Sequence, residues 1–369
     1  MPGSRSLHLG CCITPHGFGH AARVSAVITA LARRCELCCT ILTQVPAWFF
    51  ADCAAACLRW HDVRTDVGFV QKSSLAEDLA GTRLALDAFY PLHDDLVSRA
   101  AELLAGCDCI LCDIAPLGIA VARNLGIPSI LLENFTWDWI YRAYQGDNPF
   151  LIPHIDYLNR LYQQADHHLQ ASPACCPVSC AVSLAPVYRP PRTAPQVVRN
   201  QLGLPPGKPV ILLTMGGIGG DNFSLHALQG QDKYVFLLAG TGIREQVRGN
   251  VYLFPARGSR FHPDLIAAAD LVVGKLGYST VAEVYGAGTP FAFVGRPRFP
   301  ESAVLARFVK ERNMGRELEQ PEFVTGKWLD SLDDLLALPR GDRGRENGAE
   351  QAAEYVVHIG HAGKGGGAP

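Results

Sequence analysis

His16 and His20 bracket a short loop, His16-Gly17-Phe18-Gly19-His20, between an apolar run at 7–13 and an amphipathic stretch carrying Val24, Val27, Ile28 and Leu31. That order reads as strand, glycine loop, helix. An imidazole titrates near neutral pH and can take the proton of an attacking hydroxyl. Gly17 and Gly19 let the backbone approach a ligand closely, and the first N–H groups of the following helix attract anions. Asp113, in Cys112-Asp113-Ile114-Ala115-Pro116, closes another apolar run. A carboxylate buried there needs a partner, and a histidine oriented by a carboxylate is a general base. The plainer alternatives are a histidine that caps one helix and an aspartate that caps the next, starting near Pro116.

Three motifs of the second half could meet a ligand. Thr214-Met215-Gly216-Gly217-Ile218-Gly219-Gly220 is a strand end followed by glycines, without the Gly-Lys-Ser/Thr of a P-loop. It reads equally as a flexible turn or a phosphate cradle. In Gly274-Lys275-Leu276-Gly277-Tyr278-Ser279-Thr280-Val281-Ala282-Glu283 a strand ends in glycines and a helix starts near Ser279. Hydroxyls, N–H groups and the helix dipole there suit an anion. Glu283, one turn in, can accept hydrogen bonds from ribose hydroxyls; Thr280 and Glu283 also fit a capping box that needs no ligand. Glu301, in Pro300-Glu301-Ser302, can bind sugar hydroxyls or simply favour a helix start.

These residues need sheets to hold them. The pattern predicts strands at 7–13, 38–43, 109–112 and 129–132, with helices at 21–34, 47–56, 75–104 (broken near Pro91) and 117–125. Strand and helix in alternation give a parallel, doubly wound sheet. Six prolines punctuate 171–195, with Arg189, Arg192 and Arg199 nearby as solvated charges. The pattern then restarts, with strands at 210–214, 235–239, 251–254, 271–273 and 291–294. The expected organisation is an acceptor-side domain at 1–172, a proline-rich linker at 173–200, a donor-binding domain at 201–340 and a partly disordered tail at 341–369. Within that tail, the helical stretch 351–358 can pack back on the first domain. The expected fold class is α/β, two doubly wound Rossmann-like domains facing across a cleft.

The 369 residues exceed one ordinary core, and 48% hydrophobic against 18% charged residues fits a globular protein with a large interior. A net charge of −2 gives no argument for a nucleic-acid partner. All 13 cysteines fall between Cys11 and Cys180. The CxxC spacings Cys35/Cys38 and Cys109/Cys112 sit in strand-like runs rather than turn-rich knuckles, so they read as small hydrophobes in a reducing compartment, not as a metal site. No run reaches about 20 apolar residues and no signal peptide is read, so a cytoplasmic protein without a membrane span is expected. The aromatic stretches 47–50 and 135–144 read as an acceptor mouth or as core.

Together the motifs resemble a GT-B glycosyltransferase from His16 to about Arg316. The nearest likeness is the glycosyltransferase-like half of arabinose kinases, with its HGFGH start and GKxGYxTVxE segment. The peptidoglycan GlcNAc transferase and the UDP-glycosyltransferases are more distantly similar. The resemblance implies that His20, ahead of His16, is the base and Asp113 its orienting acid. It implies that Gly277, Tyr278, Ser279 and Thr280 bind the diphosphate, Glu283 the ribose and Glu301 the donor sugar. Ser302 stands where the family has glutamine, and Arg23 where GHxxP has proline. The implied activity is inverting transfer from a nucleotide sugar, UDP-linked, to a hydroxyl of a small molecule, glycan or lipid, with no cofactor and no metal. The chain has no Asp-x-Asp motif. A non-catalytic nucleotide-sugar sensor and a GT-B epimerase are the alternatives.

Overall fold

The computed structural model describes residues 6–73, 75–216, 224–241, 243–258 and 260–362. The chain forms two compact units. One comprises Met1–Val70, Glu77–Val187 and Asn347–Pro369; the other comprises Gln71–Ala76 and Tyr188–Glu346.

The first unit is built on seven parallel strands: β1 (Ser6–Ile13), β2 (Glu36–Thr43), β3 (Cys57–Asp62), β4 (Cys109–Asp113), β5 (Ser129–Glu133), β6 (His167–Ala171) and β7 (Val182–Leu184). Their order is β3-β2-β1-β4-β5-β6-β7. Helices cover both faces of such a sheet, so its central strands are continuous apolar runs; β4 and β5 are buried along their whole length. The sheet order reverses between β1 and β4, which pair with Ile13 opposite Asp113. That reversal is a topological switch point, where open α/β sheets bind ligands at the carboxyl ends of the strands. Helix α1 (Phe18–Leu31) leaves the end of β1, and α2 (Pro116–Leu125) leaves the end of β4. A Cβ on Gly118 of α2 would lie 2.6 Å from Cys112 Sγ and 2.8 Å from Cys12 Cβ. Small side chains therefore set how closely α2 lies on the two strands that carry the site. The six fully buried thiols, Cys11, Cys12, Cys39, Cys107, Cys109 and Cys112, fill this core.

Parts of the first unit differ from the sequence expectation. The helix expected at 47–56 is a single 3₁₀ turn, Ala47–Phe50, because the chain turns back at once to form β3. The helical stretch 75–104 breaks at Pro91 as expected, into Leu79–Phe89 and Asp94–Leu103, with a cis Tyr90–Pro91 bond between them. The segment after β5 adds helices Trp137–Arg142 and Leu151–Tyr162. Within it Phe135, Trp137, Ile140, Tyr141 and Tyr144 are core, whereas Trp48 and Phe49 stay half-exposed against Phe18.

The second unit repeats the plan. Its strands are β8 (Val210–Thr214), β9 (Val235–Ala239), β10 (Gln246–Arg248), β11 (Val251–Phe254), β12 (Leu271–Lys275), β13 (Phe291–Val294) and β14 (Gly315–Glu317), in the order β10-β11-β9-β8-β12-β13-β14. Only β10 runs antiparallel, at the edge. The switch point falls between β8 and β12. Gly274 is required there, since a Cβ on it would lie 1.8 Å from the Thr214 carbonyl oxygen. Helices α3 (His262–Ala268), α4 (Tyr278–Ala287) and α5 (Glu301–Glu311) follow β11, β12 and β13. One face of the sheet packs on Phe323, Trp328, Leu332 and Leu335.

The span 173–200 holds β7 and a helix at Pro195–Gln201, and the C-terminal helix α6 (Gly348–Ala362) belongs to the first unit. Glu350 of α6 accepts hydrogen bonds from Arg33 and Arg34 just past α1, and Gly360 lies close against Leu7 of β1.

Candidate active site

At the first switch point His20 Nδ1 lies 2.8 Å from Asp113 Oδ1. His20 is in the first turn of α1 and Asp113 is the last residue of β4, so helix start and strand end meet. Asp113 also accepts from Arg23, with Nε on Oδ2 at 2.7 Å and Nη2 on Oδ1 at 2.8 Å. The third corner of that guanidinium, Nη1, donates to Asn134 Oδ1 at 2.7 Å. Asp113 and Asn134 are fully buried, Arg23 is 2% exposed and His20 9%. Burial alone would push the Asp113 carboxyl up; the Arg23 charge and its hydrogen bonds, with those of His20, outweigh it and hold the carboxyl below its usual range. Asp113 does not cap the following helix, whose N-cap is Ala115.

The backbone beyond Asp113 is strained. Ile114 has φ 52°, a left-handed conformation unusual for a β-branched residue and costing about 1–3 kcal/mol. Tyr162 Oη donates to its carbonyl at 2.9 Å, and it bridges to Ile13. Gly17, φ 78°, is the N-cap of α1, a conformation open to glycine. Gly19 lies inside the first turn. His16 stands edge-on to Trp137 at 5.0 Å, and the Phe135 ring stands edge-on to His20 at 6.1 Å. A second acid, Asp66, is buried near the end of β1. It accepts from Thr14 Oγ1 at 2.8 Å, Tyr90 Oη at 2.7 Å and the Val67 N–H at 2.6 Å, and burial pushes its carboxyl up.

At the second switch point Gly277 is the N-cap of α4, and nothing stands within 4 Å of where its Cβ would be. Gly277, Tyr278, Ser279 and Thr280 thus form the helix start. The capping box is not made. The helix begins at Tyr278, which puts Thr280 inside the first turn and Glu283 in the second, too far along to reach back. Glu283 is held otherwise. Arg189 Nε and Nη2 lie 2.9 and 2.8 Å from Oε1, and His262 Nδ1 lies 2.9 Å from Oε2. His262 Nε2 continues to Thr214 Oγ1 at 3.2 Å. Burial would raise the Glu283 carboxyl; Arg189 and His262 bring it below its usual range. Arg189 and Arg192 also lie over the Phe261 ring, at 5.2 and 4.0 Å, and Arg199 pairs with Asp270. These three arginines are anchored within the second unit rather than solvated.

Gly216, φ 73°, follows β8; Gly217 lies outside the described residues. Glu301 is the first residue of α5 and is 5% exposed. The Ser302 hydroxyl accepts from the Arg296 N–H at 3.1 Å. Sequence reasoning missed the clamping roles of Arg23, Asn134, Arg189 and His262. Arg23 alone carried a signal, an arginine among alanines and valines on the buried face of α1. Among the described residues no cluster of three metal-ligating side chains occurs, and no helix is long and apolar enough to cross a membrane.

No family model matches the chain. In sequence it is similar to an L-arabinokinase of Arabidopsis thaliana, 26% identical over 362 residues, which are 96% of this chain and 34% of that protein. It is also similar to the UDP-N-acetylglucosamine–N-acetylmuramyl-(pentapeptide) pyrophosphoryl-undecaprenol N-acetylglucosamine transferase of Corynebacterium glutamicum strain R. That match is 31% identical over 150 residues, 38% of this chain and 41% of the relative. The chain thus spans less than half the length of the curated relatives it matches. In structure it is similar to the calicheamicin glycosyltransferase, with a TM-score of 0.59, 17% identity and coverage of 99% of this chain and 100% of that one. The glycosyltransferase VinC, solved in complex with DTDP, gives a TM-score of 0.58 at 15% identity, covering 96% of each chain. The fold is GT-B.

Proposed function

We propose that this protein is an inverting, metal-independent glycosyltransferase that moves a sugar from a nucleotide-diphosphate donor, a UDP-sugar, to an acceptor hydroxyl. The observation that carries this reading is the 2.8 Å contact of His20 Nδ1 with the ionised Asp113, at a switch point of a Rossmann-like sheet. A proton on Nδ1 leaves the lone pair on Nε2. Nε2 takes the proton of the acceptor hydroxyl, the oxygen bonds to the anomeric carbon, and the bond from that carbon to the diphosphate breaks with its electron pair on the nucleotide. A single displacement inverts the centre. Asp113 stabilises the imidazolium that forms. N–H groups at the start of α4 meet the charge on the departing diphosphate. Glu283 and Glu301 take ribose and donor-sugar hydroxyls. The shared GT-B fold, a neighbour that binds DTDP and the absence of an Asp-x-Asp motif support the reading. The acceptor is a small molecule, a glycan or a lipid.

One observation favours a second reading, a nucleotide-sugar-binding protein without transfer activity. Arg189 and His262 already occupy both oxygens of Glu283. Thermal stabilisation by UDP, GDP, dTDP and CDP and their sugars separates the readings when followed by transfer assays. The transferase predicts stabilisation by one base, lost in Glu283→Ala, and sugar transfer lost in His20→Ala. Stabilisation without transfer to any acceptor class supports the second reading. No stabilisation at millimolar nucleotide overturns both.

A further inference from the structure

We propose that Arg23 is a positioning residue of the His20–Asp113 pair, fixing the carboxylate that orients the imidazole and neutralising its charge. The proposal rests on the reading of His20 as the base. Arg23 is three residues after His20, so both side chains leave one face of α1 toward the same acid. A guanidinium 2% exposed is tolerated only when its charge is matched. Three of its nitrogens are committed, two to Asp113 and one to Asn134.

Two consequences follow. The first is geometric. The planar fork grips both carboxylate oxygens, so Asp113 cannot rotate about its terminal bond, and Oδ1 stays directed at His20 Nδ1. The imidazole is then held with its proton on Nδ1. In the opposite tautomer Nδ1 would trade a 2.8 Å bond to a carboxylate for a 3.3 Å contact with Arg23 Nη2. The second is electrostatic. Asp113 facing a histidine alone favours the imidazolium over the neutral ring, and the imidazolium accepts no proton. With Arg23 paired to the same carboxylate, the acid and guanidinium are together neutral, and a second proton on His20 is opposed by a cation 3.3 Å away. The groups facing His20 are Asp113 from β4, Arg23 from α1 and the uncharged Phe135 ring after β5.

The test reads the imidazole directly and needs neither donor nor acceptor, so its failure is distinct from failure of the transferase reading. Long-range ¹H–¹⁵N correlation spectra of ¹⁵N-labelled protein report the tautomer and protonation of each histidine, with His20 assigned by loss of its signals in His20→Gln. In the parent protein His20 is expected as the neutral Nδ1–H tautomer at pH 7.5. In Arg23→Met, where the opposing cation is gone, the pH at which His20 takes its second proton is expected to rise. Arg23→Lys keeps the charge but not the fork. There the rise is expected to be smaller, with the Nε2–H tautomer appearing. An Nε2–H tautomer in the parent, or an unchanged or lowered protonation pH in Arg23→Met, overturns the proposal. If near-UV circular dichroism shows Arg23→Met unfolded, Arg23→Lys decides, and an unaltered tautomer in it overturns the proposal.

Discussion

Replacing Asp113 with Asn leaves the Arg23 guanidinium in a site where it is 2% exposed, without the carboxylate that took two of its hydrogen bonds. Removing one partner of a buried ion pair costs about 3–5 kcal/mol, because the other charge stays buried and unmatched. Arg23→Met leaves the buried Asp113 facing His20 without the guanidinium, and takes from the fully buried Asn134 oxygen its 2.7 Å donor. The double variant Arg23→Met/Asp113→Asn strands neither charge. It is therefore expected to cost about 2–3 kcal/mol less than the sum of the two single variants, in the range of couplings measured for groups in contact. Urea denaturation followed by tryptophan fluorescence suits the measurement, since Trp48, Trp60, Trp137 and Trp139 lie in the first unit and only Trp328 in the second. Additivity within about 0.5 kcal/mol would refute the reasoning, since that is the behaviour of sites that do not interact.

Both Asp113 and Glu283 have carboxyls below their usual range, so at these two groups the unfolded chain binds more protons than the native one at acid pH. Their stabilisation is complete above the unfolded carboxylate range, about pH 4, and is lost as pH falls through their folded values; acid titration of the unfolding free energy should give a shallower fall in the Arg23→Met/Asp113→Asn double variant than in the parent. A Cβ on Gly286 would lie 2.2 Å from the Tyr188 ring, whose hydroxyl donates to the Arg345 carbonyl at 2.5 Å, so Gly286→Ala should cost about 1–3 kcal/mol in the same urea assay, while Gly146→Ala, with open space at its Cβ, should not. Thiol titration with Ellman's reagent should label the exposed Cys176 and Cys180 quickly, and the buried Cys11, Cys12, Cys39, Cys107, Cys109 and Cys112 only in denaturant.

The central strands were legible because parallel strands buried on both faces leave mostly apolar runs, and β1, β2, β4, β5 and β8 each do. β3 was not. Its Arg59, His61 and Asp62 interrupt the run because it is the edge of the sheet, and an edge strand has no obligation to be apolar. The alanines before it mimic a helix, yet the chain needs those residues to turn. The aromatic stretch 135–144 looked the same for an acceptor mouth or a core because composition carries no direction; only packing shows Trp137 and Tyr141 inward. His20 and Asp113 were readable as a pair because each ends or follows a recognisable element and the two elements are neighbours in any doubly wound sheet. What closes on them was not readable. Arg23 reaches Asn134 across 111 residues, and Arg189 reaches Glu283 across 94, with no periodic signal to join them.

The two units solve the same electrostatic problem in the same way. Each carries near its switch point a carboxylate that is nearly or fully buried, Asp113 at a strand end and Glu283 in the second turn of a helix, and each meets that charge with one arginine and one histidine bonded through Nδ1. The resemblance lies in the charge balance, not in the chain path, since Arg23 comes from the same helix as its histidine and Arg189 from a segment far from His262. In the first unit the consequence is a histidine whose orientation is fixed. In the second the histidine leads on to Thr214, and on the proposed reading the carboxylate is what a ligand would meet. A carboxylate offers about four lone-pair directions, and here Arg189 uses one oxygen and His262 the other. A ribose hydroxyl binding at Glu283 must therefore share an oxygen with one of them or displace it. Sharing leaves the Arg189 pair intact and calls for no rearrangement. Displacement would break an ion pair between a carboxylate 3% exposed and a guanidinium 15% exposed.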